Sequence, residues 1–191
     1  MSLHHAVLGF LSGGPRSRSE ITVDFNRSVG HFWTAEQADL NHTLRRSVET
    51  GLVSRETDQD DGPLGDDDLY RLTGRGEAVL DEWLHSPEEV YPLREPFMLR
   101  LFFAGRLDPG ILSQLIARHI DASSELLAGL HKIAADISQE LTRDELAFED
   151  RLKLATLDRG IAYTETELRW ATELQDELSA ELVAHIPAAS A

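Results

Sequence analysis

Two adjacent arginines, Arg45 and Arg46, are well suited to bind a negatively charged partner. A guanidinium presents several donors in a fixed plane, so it can pair with phosphate oxygens or with the O6 and N7 edge of guanine. The competing interpretation is a solvated surface charge or an intrahelical ion pair with Glu49. Arg16 and Arg18 form a second pair of candidate phosphate-binding residues.

The helical pattern around Arg45 and Arg46 predicts which neighbours share their surface. If Leu40, Leu44, Ser47 and Val48 face a core, a rotation of about 100° per residue turns the opposite side of the helix outward. The candidate DNA-binding residues on or beside this helix are Thr34, Ala35, Ala38, Asp39, Asn41, His42, Arg45 and Arg46. Small alanines suit a thymine methyl, a histidine can donate to phosphate or base, and among base edges a carboxylate accepts best from cytosine N4.

Three short helices with their own start and stop signals would position this surface. The first helix ends at Gly13-Gly14-Pro15, and Ser17-x-x-Glu20 is a capping-box pattern that opens the second. Thr34-x-x-Gln37 is a further capping box, which predicts a third helix over about residues 34–50, with Gly51 as its left-handed stop. Three such helices within the first fifty residues are typical of a helix-turn-helix unit.

A β-hairpin is predicted directly after the third helix. Residues 52–57 and 69–73 have strand character and flank a loop rich in glycine and aspartate. A hairpin at this place is a wing. Thr73 then caps a fourth helix that ends near Ser86-Pro87, so we assign residues 1–87 to a winged helix-turn-helix DNA-binding domain.

Long helices are predicted in residues 88–191. Apolar positions step by threes and fours after the start signal Asp108-Pro109, and a second seam begins at Phe148. Two antiparallel helices cannot bury such a seam alone, so we expect a homodimer whose reading helices lie about one DNA turn apart. The predicted fold class is mainly α: a winged helix-turn-helix with a small β-hairpin wing, then an antiparallel long-helix domain for dimerisation.

Blocks of sequence follow one another in a specific order and spacing along the chain. They are MSLHHAVLGFL, GGPRSRSEI, VGHFW, LRRSVETGLV, LYRLTGRGEAVLDEWL and PLREPFMLRLFFAGRLDP, with a weaker one in LDRGIAYTETELRW. In this order they resemble the PadR family of transcriptional regulators, in the subgroup with a long helical C-terminal domain. The resemblance implies a dimeric repressor that binds an inverted-repeat operator in double-stranded DNA and often responds to a small aromatic or hydrophobic effector.

The chain departs from the usual pattern of that family at three places. Arg18-Ser19 stands where the second helix usually has Gly-Tyr, and Asn41 stands where the reading helix usually has Tyr. Asp66-Asp67-Asp68 stands where the wing commonly carries Lys or Arg. Carboxylates repel phosphate: two unit charges ~4 Å apart at an effective dielectric constant of ~20 repel by about 4 kcal/mol before salt screening.

The net charge of −16, from 18 basic and 34 acidic residues, also opposes binding to DNA. An alternative function therefore stays open. It is a winged-helix relative with weakened DNA binding that acts through a ligand or through protein partners.

Aromatic residues supply the candidate walls of an effector pocket, because such walls favour planar apolar ligands. The candidates are Trp83, Phe97, Phe102, Phe103, Tyr163 and Trp170. Ordinary packing is the competing interpretation of each.

No other chemistry is indicated by the sequence. Cysteine is absent, and His4 and His5 are adjacent rather than one helical turn apart, as a pair of metal ligands would be. A Gly-rich phosphate loop, a nucleophile elbow and a His-Glu-x-x-His motif are absent too, so we predict no enzyme activity, no cofactor and no metal. Without a signal peptide or a run of about 18 apolar residues, we expect a soluble cytoplasmic protein.

Overall fold

The computed structural model describes residues 3–30, 32–56, 68–87, 94–140 and 146–184. The chain divides into two compact units, residues 1–90 and 91–191. The described elements are mainly helical with one small antiparallel sheet, which confirms the predicted fold class.

The described residues of the first unit form four helices: α1 (Leu3–Ser12), α2 (Arg18–Ser28), α3 (Gln37–Glu49) and α4 (Gly74–His85). The capping box at the start of α2 is confirmed: Ser17 Oγ accepts from the Glu20 amide, and the Glu20 carboxylate accepts from the Ser17 amide at 2.7 Å. Gly51 has a φ of 70° after α3, as a left-handed stop requires. The Thr73 hydroxyl caps α4 by accepting from the Gly76 amide.

The sheet of the first unit has three antiparallel strands: β1 (Arg16–Ser17), β2 (Val53–Glu56) and β3 (Leu69–Leu72). The predicted hairpin is confirmed in β2 and β3, where Val53 lies opposite Leu72. The strand β1 pairs with the other edge of β3 and was not predicted. Two residues are too few to show the alternation by which a strand is recognised in a sequence.

The core of the first unit lies between α1, α2, α3, the sheet and α4. Its buried residues are Val7, Leu8, Leu11, Ile21, Phe25, Leu40, Leu44, Leu52, Val53, Tyr70, Leu72 and Leu80. The predicted inner side of α3 is confirmed, since Leu40, Leu44 and Ser47 are buried and Val48 is half-buried against the core. The Ser47 hydroxyl donates to the Thr43 carbonyl, so its burial leaves no unmet donor. Burial of this side determines the orientation of α3 about its own axis, so the opposite side of the helix is exposed.

The second unit contains α5 (Pro96–Phe102), a 3-10 turn (Ala104–Arg106), α6 (Pro109–Glu140) and α7 (Phe148–Ala184). Asp108 accepts from the Gly110 amide at 2.8 Å, which confirms the predicted start of α6. His119 of α6 meets Glu167 of α7, whereas Leu130, further along α6, packs near Leu154 and Leu157, which precede Glu167. The two long helices are therefore antiparallel. None of the helices described is both long and apolar enough to cross a membrane.

Candidate nucleic-acid interface

The exposed side of α3 carries Ala38, Asp39, His42, Arg45 and Arg46. These five residues point away from the core, as the helical periodicity predicts. Within the part of the chain that the structure describes, none of the four polar side chains has a hydrogen bond or an ion pair. We call this surface the α3 face. Its contact with DNA stays a prediction.

The prediction that the third helix begins at Thr34 is wrong. The helix begins at Gln37, and Glu36 occupies the N-cap position without a side-chain hydrogen bond. Thr34 is exposed in the preceding non-helical segment, whereas Ala35 is half-buried and packs against the core. A capping-box pattern is short and common, and here Ala35 packs against the core in non-helical chain where the pattern indicates helix. Ala35 is therefore not part of the α3 face.

Asn41 lies at the edge of the α3 face rather than on it. Its side chain is half-buried, and its Oδ1 is buried without a hydrogen-bond partner among the described residues. The acceptor of the amide is thus turned inward, so only the donor end of this side chain is suited to meet a partner in solvent.

Arg16 is engaged inside the protein rather than free for phosphate. Its Nη1 lies 2.7 Å from Asp24 Oδ2, and its Nε donates to the Phe10 carbonyl at 2.9 Å. These bonds link the end of α1 to the middle of α2. Arg18, the other predicted phosphate-binding residue of this pair, is half-buried in the first turn of α2.

An ion pair inside the wing neutralises one of its three adjacent carboxylates. Arg55 of β2 binds Asp68 Oδ2 through Nη2 at 2.6 Å and through Nε at 2.7 Å, and both side chains are largely buried. The charge of Asp68 is therefore compensated within the hairpin, which lowers the repulsion that this carboxylate would add toward DNA. Asp66 and Asp67 lie outside the described residues. The strand register, which the sequence does not show, places Arg55 opposite Tyr70, two residues after Asp68.

Some of the other arginines of the first unit have a hydrogen-bond or ion-pair partner within the unit, and others do not. Arg71 pairs with Glu56 across the hairpin at 3.0 Å, and Arg75 donates to the Thr50 carbonyl at 3.1 Å. Arg45 and Arg46 have no such partner in the described part of the chain. Two of the guanidinium groups available to an anionic partner, those of Arg45 and Arg46, therefore lie on the C-terminal half of the α3 face.

The two histidines of α1 pack against neighbouring aromatic rings. His5 stacks on Trp83 of α4, with ring centroids 4.6 Å apart and planes 4° apart. Burial and the nearby charge of Arg46 lower the pKa of His4, and burial, followed by the charge of His4, lowers that of His5. Both imidazoles are therefore mainly neutral near pH 7, and Trp83 makes a packing contact in the first unit.

Two of the predicted effector residues, Phe97 and Trp170, contact each other in the second unit. Phe97 stacks on His119 at 3.7 Å between ring centroids and meets the edge of Trp170 at 6.3 Å. The Tyr163 hydroxyl donates to Glu95, and this hydrogen bond raises the pKa of Tyr163 to about 12. The sequence analysis identified these aromatic residues as candidates but not His119, because the residues next to His119 in the chain indicate no role for it.

Phe102 and Phe103 contact each other edge-to-face and are otherwise mostly exposed. Phe103 borders a shallow hollow of about 460 Å³, together with Leu99, Leu107 and Leu115. A smaller cavity of about 210 Å³ lies between the 3-10 turn, the start of α6 and the end of α7. Ile116, Gln175 and neighbouring residues line this cavity, and none of the six predicted aromatic residues does.

The described residues include no group of three or more histidine or acidic side chains placed to hold a metal ion.

Comparisons with known proteins agree in sequence and in structure. Residues 93–179 match the family model described as "Virulence activator alpha C-term". The negative transcriptional regulator PadR of Bacillus subtilis is 29% identical over 131 residues, which cover 67% of this chain and 70% of that protein.

Solved structures share the fold over nearly the whole chain. The virulence activator AphA of Vibrio cholerae superposes with a TM-score of 0.76 at 26% identity, over 94% of this chain and 99% of that chain. Bacillus subtilis PadR in complex with operator DNA superposes with a TM-score of 0.77 at 21% identity, over 92% of this chain and 97% of that chain. The same Bacillus protein has also been solved with p-coumaric acid. This chain is therefore a homologue of the PadR-type transcriptional regulators, and the family resemblance of its sequence blocks is confirmed.

Proposed function

We propose that this protein is a DNA-binding transcriptional regulator that contacts its operator through the α3 face. The observation that carries the proposal is the pair Arg45 and Arg46, which are exposed and unpaired in the described part of the chain. Arg16, Arg55 and Arg71 instead pair with carboxylates of their own unit. Homology to PadR, a negative transcriptional regulator, supports a role in transcriptional regulation for this protein as well.

The acidic composition favours the alternative function, a regulator with weakened DNA binding that acts through a ligand or a protein partner. The argument that acidic residues oppose DNA binding is weaker for the wing, because Arg55 neutralises Asp68. What matters for binding is the local potential at the contacting surface, not the net charge of −16. The α3 face combines two cations with one carboxylate, Asp39, so its local charge is positive.

We also propose that the first unit binds DNA and that the second unit forms a homodimer. Large apolar side chains of the second unit remain exposed, among them Leu99, Phe102, Phe103, Leu107 and Ile111. Apolar exposure of this extent marks a surface that a second copy of the chain would cover. A two-fold dimer would place two α3 helices about one DNA turn apart, as an inverted-repeat operator requires. We assign this protein the role of a repressor, as PadR is a negative transcriptional regulator.

A small aromatic or hydrophobic effector is the further partner that we propose for the second unit. The p-coumaric acid complex of Bacillus subtilis PadR supports a ligand of this class in a protein of the same fold. In this chain the cluster around Phe97, His119 and Trp170 offers the aromatic surface for it.

The test is binding of the full chain to duplex DNA from around its own gene, titrated against salt. The variant Arg45→Ala/Arg46→Ala removes two cations from each protomer and four from a dimer. Each phosphate contact contributes about 0.9 to the slope of log affinity against log salt, so the slope should become shallower by about 3 to 4.

The control variant Arg118→Ala/Arg169→Ala removes the same charge from exposed positions of α6 and α7. Its slope should match that of the wild type. No salt-dependent binding by a folded dimer at about 50 mM salt would refute the proposal and favour the ligand or protein-partner alternative.

A further inference from the structure

Asp39 is a carboxylate on a surface otherwise suited to anions. It lies in the first turn of α3, is exposed, and has no hydrogen bond or ion pair from its side chain among the described residues. His42 follows one turn later and Arg46 two turns later, so the three residues form one stripe along the α3 face. Residues near the N-terminus of a reading helix are the ones that reach base edges in the major groove.

The chemistry of a carboxylate restricts the base that it can meet. Ionised Asp39 only accepts hydrogen bonds, and guanine and thymine present acceptors in the major groove. Adenine presents its N6 amino group beside the N7 acceptor, whose lone pair repels a carboxylate. Cytosine presents the N4 amino group without a neighbouring acceptor on the same base.

We propose that Asp39 is a specificity-determining residue that selects a cytosine in each operator half-site by accepting a hydrogen bond from its N4 amino group. This inference rests on the proposed DNA-binding function. Stabilisation of α3 by a negative charge in its first turn is the purely structural role of the same residue. That role predicts no effect on base preference, so the two roles can be separated by experiment.

The experiment is selection of duplexes from a randomised pool by the full-length wild type and by three variants. The wild type should enrich a motif with one cytosine-guanine pair in each half-site that depends on Asp39. Asp39→Ala should enrich the same motif with that position relaxed, and its discrimination there should fall roughly tenfold. Asp39→Asn should change the preference from cytosine to adenine, because an amide pairs with adenine N6 and N7 together.

Glu49→Gln is the matched control, because it removes the same charge from an exposed position at the other end of α3. Its motif should equal that of the wild type, and circular dichroism should show all variants folded. A wild-type motif that keeps its preference at every position in Asp39→Ala and Asp39→Asn would overturn the assignment of Asp39 while leaving the DNA-binding function intact. If the wild type enriched no sequence, the proposed function and this assignment would both fall.

Discussion

Gly76 is the position at which a single added methyl group should do most damage to the first unit. It is the third residue of α4 and is buried. A Cβ at this position would lie 2.2 Å from the Leu52 carbonyl oxygen and 2.6 Å from Leu72 Cδ1. The Leu52 carbonyl accepts from the Thr73 amide at 3.0 Å, so it cannot move away without weakening that hydrogen bond.

The magnitude of the effect of Gly76→Ala follows from three contributions. Overpacking of a well-packed site costs about 1–3 kcal/mol, and a weakened backbone hydrogen bond adds about 0.5–1.5 kcal/mol. The better helix propensity of alanine offsets about 0.5–1 kcal/mol of this cost. We therefore expect the free energy of unfolding to fall by about 1–3 kcal/mol. Because Leu52 lies three residues after the end of α3 and its amide donates to the Ser47 carbonyl of that helix, we also expect weaker DNA binding.

Gly74→Ala is the matched control, since it makes the same substitution two residues earlier in α4. A Cβ at Gly74 would meet no atom within 4 Å, so the stability of this variant should be unchanged or slightly higher. Urea unfolding followed by circular dichroism measures both variants under the same conditions. If Gly76→Ala proved as stable as Gly74→Ala, the close approach of α4 to Leu52 would be refuted.

Three further predictions concern single contacts. Ser17→Ala removes the cap of α2 and should lower the free energy of unfolding by about 1 kcal/mol in a urea titration, whereas an unchanged midpoint would contradict the capping box. Tyr163 should ionise near pH 12 because it donates to Glu95, and its contribution to stability, present below about pH 10, should be lost as the pH rises from about 10 to about 12. Tyrosinate absorbance of the wild type minus that of Tyr163→Phe tests this shift, and a difference curve centred near pH 10 would disprove it. Asp68→Ala should destabilise the chain by about 1–3 kcal/mol because it leaves the Arg55 charge largely buried, and a double-mutant cycle with Arg55→Ala should show coupling; additive effects would argue against the ion pair.

The sequence predicted the elements well wherever the determining interactions are local. The capping box at Ser17, the left-handed stop at Gly51 and the cap at Thr73 each involve a few neighbouring residues, and all three are confirmed. The period of α3 likewise predicted its buried side. The start of α3 was predicted wrongly: the local capping pattern indicates helix from residue 34, whereas Ala35 makes a tertiary contact with the core in non-helical chain.

The candidate interface also has some features that depend on local sequence and others that depend on long-range contacts. Helical periodicity alone predicted that Ala35, Ala38, Asp39, His42, Arg45 and Arg46 share an exposed surface, and this is correct for all but Ala35, which packs against the core. Periodicity does not show which charges are already compensated, because ion pairs join residues that are distant in the chain. Thus the sequence alone suggested a wing made repulsive by its aspartates, whereas the hairpin register pairs Asp68 with Arg55.

By itself, then, the sequence determined the mainly helical class, the wing, the long helices and the outward side of α3. Each of these depends on the apolar period or on capping and turn residues, whose energetics act over a few positions. Tertiary structure alone decided that Arg16 joins α1 to α2, that Arg55 neutralises Asp68, and that Phe97 stacks on His119. These contacts arise only when helix packing and strand register bring distant residues together, and they determine which charges and rings are left for a partner.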